Sequence, residues 1–407
     1  MNVLVFNCGS SSLKYRVITM PGAQEAAGGE AQRVGPPTAK PSVILHHEGT
    51  TRETHEVPMP DHASAFEQVM RLLERESRLV PDVVGHRVVH GGDRFTQPTR
   101  VNDAVLANLE SFSSIAPLHN PPAIALMKAC RERYPDLPQV AVFDTAFHAT
   151  IPEYARTYAL SRQLREDFGF RKYGFHGTSH QFVTEEAAAF LSIPLERFNA
   201  VSCHLGSGGA SLCAVVNGRS MDNTMGYSPL QGLVMSTRCG DLDPAVTMQL
   251  LASSEGDGAK VDKLLNNRSG VLGLYGRSAD VRDVVAETSL DSAWDSRMDR
   301  TLQVYLWRIR KYLGAYLAVV GQPHAVIFTD TIGETVPYVR RVLCAGMETF
   351  GLRMDVRKNL EVSRYPADVA AQGSAVRILV VQTNEELAIA RQTERALYSP
   401  QANALAS

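Results

Sequence analysis

Short apolar runs alternate with amphipathic stretches along the chain. Residues 3–6 form an apolar run that ends in Asn7-Cys8-Gly9-Ser10-Ser11-Ser12-Leu13-Lys14, and a second β-like run continues through Ile18. This order predicts strand, polar turn, strand. It returns in the second half as residues 201–205, then Gly206-Ser207-Gly208-Gly209, then residues 210–216. Gly9 and Gly206 stand 197 positions apart, about half the chain, which reads as a duplicated domain. Asn217-Gly218 behind the second unit is a type I′ hairpin signal.

Between the two units, strands alternate with helices. Ser64-x-x-Glu67 reads as a capping box, and Phe66, Val69, Met70 and Leu73 then share one helical face. Residues 83–89 and 139–143 read as buried strands, and so do 325–328 and 375–381. Leu302, Tyr305, Leu306, Ile309, Leu313 and Tyr316 mark a long amphipathic helix. Asn384 caps a final helix with Glu385 and Glu386 in its first turn. The alternation predicts an α/β protein. Residues 21–41, rich in Ala, Gly, Pro and Gln, read as a mobile hairpin extension without catalytic role, and the tail after Tyr398 reads as frayed.

Composition narrows the picture. A chain of 407 residues exceeds one comfortable core, so two domains are expected. A net charge of −2 gives no field for gripping nucleic acid or an anionic membrane, whereas small anionic ligands stay possible. The six cysteines form no Cys-x-x-Cys pair, which argues against a zinc site or a disulfide framework. The first residues lack a basic, then apolar, leader, and no apolar run approaches the roughly 20 residues of a membrane span. A cytoplasmic location is the expectation.

Candidate chemistry gathers at the glycine turns. A turn of small residues after a strand exposes N–H groups that can cradle phosphate, although two tight hairpins would read the same way. Neither turn is a Walker A loop, because no Gly-x-x-x-x-Gly-Lys-Ser/Thr occurs. Arg87, in Gly85-His86-Arg87-Val88-Val89-His90-Gly91-Gly92, and Arg238, in Thr237-Arg238-Cys239-Gly240-Asp241-Leu242-Asp243-Pro244, sit in polar settings at element ends. Guanidinium groups suit the oxygens of a transferring phosphoryl group, though a lone arginine is more often a surface ion pair. Histidines cluster as His119, His148, His176 and His180. The His176-x-x-x-His180 spacing could hold zinc on a helix, but Gly177 stands where a zinc protease has Glu. Hydrogen-bonding histidines near an anion are the better reading.

Together these strings resemble the acetate kinase family, part of the superfamily of sugar kinases, heat-shock ATPases and actin. The similarity runs from Asn7 to Arg391 and includes Phe143-Asp144-Thr145-Ala146-Phe147-His148 and Met225-Gly226-Tyr227-Ser228-Pro229-Leu230-Gln231-Gly232-Leu233. The resemblance implies a duplicated ribonuclease-H-like (actin-like ATPase) α/β fold of two domains with an active-site cleft between them. Residues 1–149 plus 386–407 would form the N-terminal domain and its returning helix, and 150–385 the nucleotide-binding domain. It further implies a homodimer and reversible phosphoryl transfer between ATP and acetate, giving acetyl phosphate and ADP, with Mg²⁺ or Mn²⁺.

Carried residue by residue, the resemblance implies that Arg87 and Arg238 bind the carboxylate and the phosphoryl group in flight. His176 would donate to that group, with His119 and His204 supporting, and Asp144 would hold an arginine or the carboxylate in line. Asn7 and Glu385 would hold the metal through water, near Ser10, Ser12 and Lys14. Val89, Leu118, Phe175 and Pro229 would enclose the substrate methyl. Gly206, Ser207, Gly208, Asp280, Val281, Arg282, Thr331, Ile332, Gly333 and Thr335 would line the nucleotide. The nucleotide side departs from the family pattern. Thr329-Asp330-Thr331-Ile332-Gly333-Glu334-Thr335 stands for the usual Thr-Ala-Gly-Ile-Gly-Glu-Asn, and Ser207 stands for an Asn. Thr331 would crowd adenosine and resist a positive φ where glycine is usual. Asp330 adds negative charge. Val281 often corresponds to a larger residue. Another donor, pyrophosphate or a different nucleotide, and a non-catalytic paralogue that senses acetyl phosphate therefore stay open beside the ATP enzyme.

Overall fold

A computed structural model describes the chain except residues 10, 37–39, 114–115, 117–119, 289–298 and 399–407. The chain divides into two compact units, Met1–Phe147 with the segment that begins at Asn384, and His148–Thr383.

The first unit holds β1 (Asn2–Cys8), β2 (Ser12–Thr19), β3 (Gln24–Gln32), β4 (Val43–Glu48), β5 (Thr51–Glu56), β6 (Val83–Val88), β7 (Thr99–Arg100) and β8 (Gln139–Phe143). They form one sheet in the order β5-β4-β3-β2-β1-β6-β8-β7. The second unit holds β9 (Ala200–Leu205), β10 (Ala210–Val216), β11 (Arg219–Asn223), β12 (Ala325–Thr329), β13 (Ala367–Asp368) and β14 (Arg377–Val380), ordered β11-β10-β9-β12-β14-β13. The segment β3-β2-β1-β6-β8 repeats as β11-β10-β9-β12-β14. In each, an antiparallel hairpin joins a strand to two parallel neighbours. The turns repeat as well. The Gly9 N–H donates to the Ser12 carbonyl at 2.9 Å, and the Gly206 N–H donates to the Gly209 carbonyl at 2.9 Å. The duplication expected from the glycine spacing is present in strand order and in turn geometry.

Strands covered on both faces are apolar throughout rather than alternating. On β1, Leu4 and Phe6 enter one core while Val3 and Val5 enter the other with Ile389 and Ala390 of the final helix, Glu385–Tyr398. Asn384 caps that helix, its Oδ1 accepting from the Leu387 N–H at 2.9 Å. Gly85 lets the helix close onto β6, because a Cβ there would lie 2.4 Å from Thr393 Oγ1. The helix Arg300–Val320 buries Leu302, Tyr305, Leu306, Ile309, Leu313 and Tyr316, as its period predicts, and packs on β9 and β10. Asn217 and Gly218 have φ of 53° and 70°, both positive as a type I′ turn requires.

Two expectations are corrected. The helix His62–Leu73 is capped by Asp61, not by Ser64: the Asp61 carboxylate accepts from the Ser64 N–H and hydroxyl, each at 2.7 Å. Asp61 takes the extended conformation of a cap, so the helix starts earlier and Ser64 falls inside its first turn. Nor are residues 21–41 simply a mobile appendage. Gln24–Gln32 is β3, paired with β2 and β4 inside the sheet. Its small residues make room for neighbours: a Cβ on Gly29 would lie 2.5 Å from the hydroxyl of buried Tyr15, which bonds His46 Nδ1 at 2.6 Å. Close approach, not periodicity, explains that composition. No helix among the described residues is long and apolar enough to cross a membrane.

Candidate active site

In the first unit, the carboxyl ends of parallel β1, β6 and β8 bring Asn7, Arg87 and Asp144 together, where α/β sheets carry ligands. Asp144 grips Arg87 in a fork, with Nε to Oδ2 at 3.0 Å and Nη2 to Oδ2 at 2.5 Å. Asn7 Oδ1 accepts from Arg87 Nη1 at 3.0 Å, and Glu385 Oε2 lies 3.9 Å from Arg87 Nε. Burial works against the Arg87 cation, but Asp144 and Glu385 more than offset this and raise its pKa. The guanidinium is thus fixed in charge and direction while a fifth of its side chain stays exposed. Val89 follows β6 and is half-buried. Ser12 and Lys14 lie on β2, with Lys14 exposed.

In the second unit, Gly206–Gly209 joins β9 to β10, and Ser207 and Gly208 are exposed. A Cβ built on Gly209 would lie 2.7 Å from Arg238 Nη2 and 3.3 Å from His176 Nε2, so both donors converge on this turn. Arg238 donates to the carbonyls of Pro229 at 2.8 Å and Gly208 at 3.0 Å. Among the described residues no carboxylate pairs with Arg238, and burial lowers its pKa. An arginine held by carbonyls alone keeps its positive charge for an anion. His176 has φ of 59° and precedes the helix Gly177–Phe190. Ser211 fixes its ring through Nδ1 at 2.8 Å and also touches His180 Nε2 at 2.8 Å. His180 is buried, its other nitrogen 2.9 Å from the Ser202 hydroxyl, and desolvation lowers its pKa well below the usual value. His148 donates through Nε2 to the Phe175 carbonyl at 2.9 Å; the Phe175 ring is buried.

The His204 ring lies tilted against that of His176, with ring centroids 4.2 Å apart. Its Nε2 donates to Asp330 Oδ2 at 3.0 Å, because a carboxylate only accepts. Its Nδ1 meets the Ser179 hydroxyl at 2.9 Å, and Ser179 meets the Thr383 hydroxyl at 2.9 Å. Glu334 Oε1 accepts from the Thr383 N–H at 3.0 Å and from the Asp330 N–H at 2.8 Å, closing a ring of polar contacts. Burial pushes the Glu334 carboxyl up, while His204 and the Thr331 N–H hold Asp330 below the usual carboxylate range against its own burial.

The nucleotide strings fall into two segments of this unit. Asp280 caps the helix Val281–Glu287 and forks onto Arg282, with Val281 buried beneath. Ile332 and Gly333 are buried in the short helix Asp330–Thr335, and the Thr335 hydroxyl donates to the Thr331 carbonyl at 2.6 Å. Fully buried Arg340 secures that helix from below through the carbonyls of Gly333 and Glu334, both at 2.8 Å. Thr331 is not left-handed, as a β-branched residue there would resist, and the left-handed residue of this segment is Asp330 at φ 62°. Aspartate tolerates this region through local hydrogen bonds, here the Thr331 N–H and hydroxyl donated to its Oδ1. Ser10, Leu118 and His119 lie outside the described residues.

Asn7 and Glu385 supply one amide oxygen and one carboxylate, both turned towards Arg87. That sparse, all-oxygen set fits a largely hydrated Mg²⁺. Among the described residues no group of three or more His, Cys, Asp or Glu gathers as a metal site. Ser179, Ser202, Ser211 and Glu334 were missed from sequence. For Ser202 and Ser211 the trace was polar residues on otherwise apolar strands, Ser202 and His204 alternating on β9 with Ser211 opposite His204; Ser179 and Glu334 lie on helices and left no such pattern.

A duplicated sheet of this order, with a glycine turn in each half, an arginine at the end of β6 and another in the loop that follows β11, fits the ribonuclease-H-like class of phosphotransferases. Residues 2–391 match the Acetokinase family, and the chain belongs to it. The acetate kinase of Dictyoglomus turgidum is 43% identical over 404 residues, covering 97% of each chain. Among solved structures, the Porphyromonas gingivalis acetate kinase is similar with a TM-score of 0.89 at 34% identity, covering 97% of this chain and 99% of that one. A propionate kinase from Francisella tularensis gives 0.87 at 34% identity over the same shares.

Proposed function

We propose that the protein is an acetate kinase, transferring the γ-phosphoryl group of ATP reversibly to acetate. The observation that carries this reading is the convergence of Arg238 Nη2 and His176 Nε2 on the Gly209 turn, with no carboxylate among the described residues neutralising the arginine. Such donors match the equatorial oxygens of a transferring phosphoryl group, where charge spreads in the transition state. An acetate oxygen attacks the γ-phosphorus while the bond to the ADP oxygen breaks. A carboxylate nucleophile is ionised at neutral pH and needs no general base. Arg87, aimed by Asp144, binds the acid; Val89, Phe175 and Pro229 favour its methyl group. Discrimination of one methylene is limited to about 1–3 kcal/mol, so propionate is a slower substrate. Mg²⁺, when held by Asn7 and Glu385, would offset phosphate charge. Residues His148–Thr383 form the nucleotide-binding domain in this proposal, and a cytoplasmic homodimer completes it on the strength of family membership.

A second reading, the same transfer from pyrophosphate or another nucleotide, is favoured by one feature. Asp330 sets its Oδ2 against Gly206, 2.4 Å from where a Cβ would stand. Trapping the acyl phosphate with hydroxylamine, with acetate and either ATP, GTP or pyrophosphate, tests both readings. Product from ATP at an ordinary KM supports the first, product from another donor alone supports the second, and folded protein that yields none refutes both.

A further inference from the structure

Behind His176 runs a chain of polar groups, Ser202, His180 and Ser211, all fully buried. Ser202 Oγ lies 2.9 Å from His180 Nδ1, His180 Nε2 lies 2.8 Å from Ser211 Oγ, and Ser211 Oγ lies 2.8 Å from His176 Nδ1. Each hydroxyl brings one proton, and a neutral imidazole has one N–H and one accepting nitrogen. The protons of the chain can therefore point in one of two directions, and its far end decides between them. The Ser202 hydroxyl meets no other group among the described residues, so His180 Nδ1 is the acceptor for its proton. In the reverse direction that buried O–H would have no acceptor, which costs free energy. Desolvation keeps His180 neutral, so its single N–H is at Nε2 and donates to Ser211. The Ser211 proton then goes to His176 Nδ1. A neutral ring that accepts at Nδ1 carries its own proton at Nε2. That nitrogen is the one lying 3.3 Å from a Cβ built on Gly209, a point that Arg238 Nη2 also approaches.

We infer that Ser202, His180 and Ser211 are positioning residues that hold His176 as the neutral imidazole protonated at Nε2, so that it meets the transferring phosphoryl group as a hydrogen-bond donor. The opposite tautomer would turn a lone pair towards the phosphoryl oxygens and repel them. The role rests on the proposed phosphoryl transfer and deepens it, whereas the tautomer itself is readable without any substrate. Losing a preorganised donor outright lowers kcat by about 100- to 1,000-fold. Ser211→Ala leaves the His176 ring in place and frees only its tautomer, so a smaller loss, on the order of 10-fold in kcat, is expected.

The test combines nitrogen–proton correlation spectra of the histidine rings with steady-state kinetics, both on the full chain. The His176 signals are identified by their loss in His176→Gln. In ligand-free wild type at neutral pH, Nε2 of His176 should be protonated and Nδ1 should not. Ser211→Ala and Ser202→Ala should each admit the Nδ1-protonated form. Ser211→Ala should also lower kcat on the order of 10-fold with KM for acetate and ATP unchanged, a split that a loss of stability alone does not produce. Ser211→Thr keeps the hydroxyl and should restore both the wild-type tautomer and kcat. An active wild type whose His176 is protonated at Nδ1 overturns the role, and so does full kcat in both Ser211→Ala and Ser202→Ala; either result leaves the kinase reading intact. Folded wild type that forms no acyl phosphate from any donor overturns the kinase reading and this role with it.

Discussion

Asp144→Ala strips the carboxylate from a guanidinium that the fold holds in place. Asp144 is 2% exposed and Arg87 20%, and three donor–acceptor distances of 2.5–3.2 Å join them. Removing one partner of a buried ion pair costs about 3–5 kcal/mol, most of it from the charge left behind. Arg87 keeps Asn7 at 3.0 Å and some water, so the low end, about 3 kcal/mol, is expected. For a unit of this size the melting temperature should then fall by roughly 6–12 °C. Urea denaturation of Asp144→Ala, Arg87→Met and the double variant measures the pair directly. Truncating both should cost less than the two single losses together, with a coupling of about 2–3 kcal/mol. Steady-state kinetics on Asp144→Asn, which keeps one oxygen facing Arg87, should show a raised acetate KM in a folded protein. A cycle additive within about 0.5 kcal/mol would refute the reasoning, since Arg87 would then be positioned without Asp144.

Gly209→Ala should fold, because the atom in its way is the mobile end of Arg238, but displacing Nη2 should lower kcat on the order of 100-fold; unchanged kcat would remove that turn from phosphoryl binding. Asp330→Ala removes a negative charge beside Gly206 and should lower the ATP KM roughly 3- to 10-fold, and an ATP KM that rises would show that the His204 contact matters more than repulsion. Burial lowers the pKa of His86 and of His90 to about 4, so the native state binds fewer protons than the unfolded chain below pH of about 6.5. Stability from these histidines is therefore complete above that pH and falls as pH drops towards 4, by roughly 3 kcal/mol each. Urea midpoints that stay flat from pH 7 to 4.5 would contradict the neutral, buried rings.

What reads directly from sequence is whatever a few consecutive residues encode. The apolar runs at β1, β8 and β12, the Asn217-Gly218 turn, the period of the helix Arg300–Val320 and the Asn384 cap all depend on local sterics and hydrogen bonds, and each stands where the pattern put it. The same local logic misplaced the cap at Ser64, because Asp61 three residues earlier starts the helix by accepting from the Ser64 N–H and leaves Ser64 inside the first turn. It also read residues 21–41 as a mobile hairpin extension rather than as a strand inside the sheet, because glycine and alanine look like linker until Tyr15 and Leu45 pack against them.

Arginine and glycine-turn candidates were visible as residue types, but their chemistry was not. Sequence contains Arg87 and Arg238 as equal cations; tertiary structure gives one a carboxylate fork and the other only carbonyls. The ring through Asp330, His204, Ser179, Thr383 and Glu334 joins positions up to 204 apart, and Asp330 takes the left-handed conformation beside it. Periodicity and turn propensity are fixed within a few residues of chain. The partner of a buried polar group is fixed by strand register and by helix packing across the whole unit, and there the charge left over for a phosphoryl group is decided.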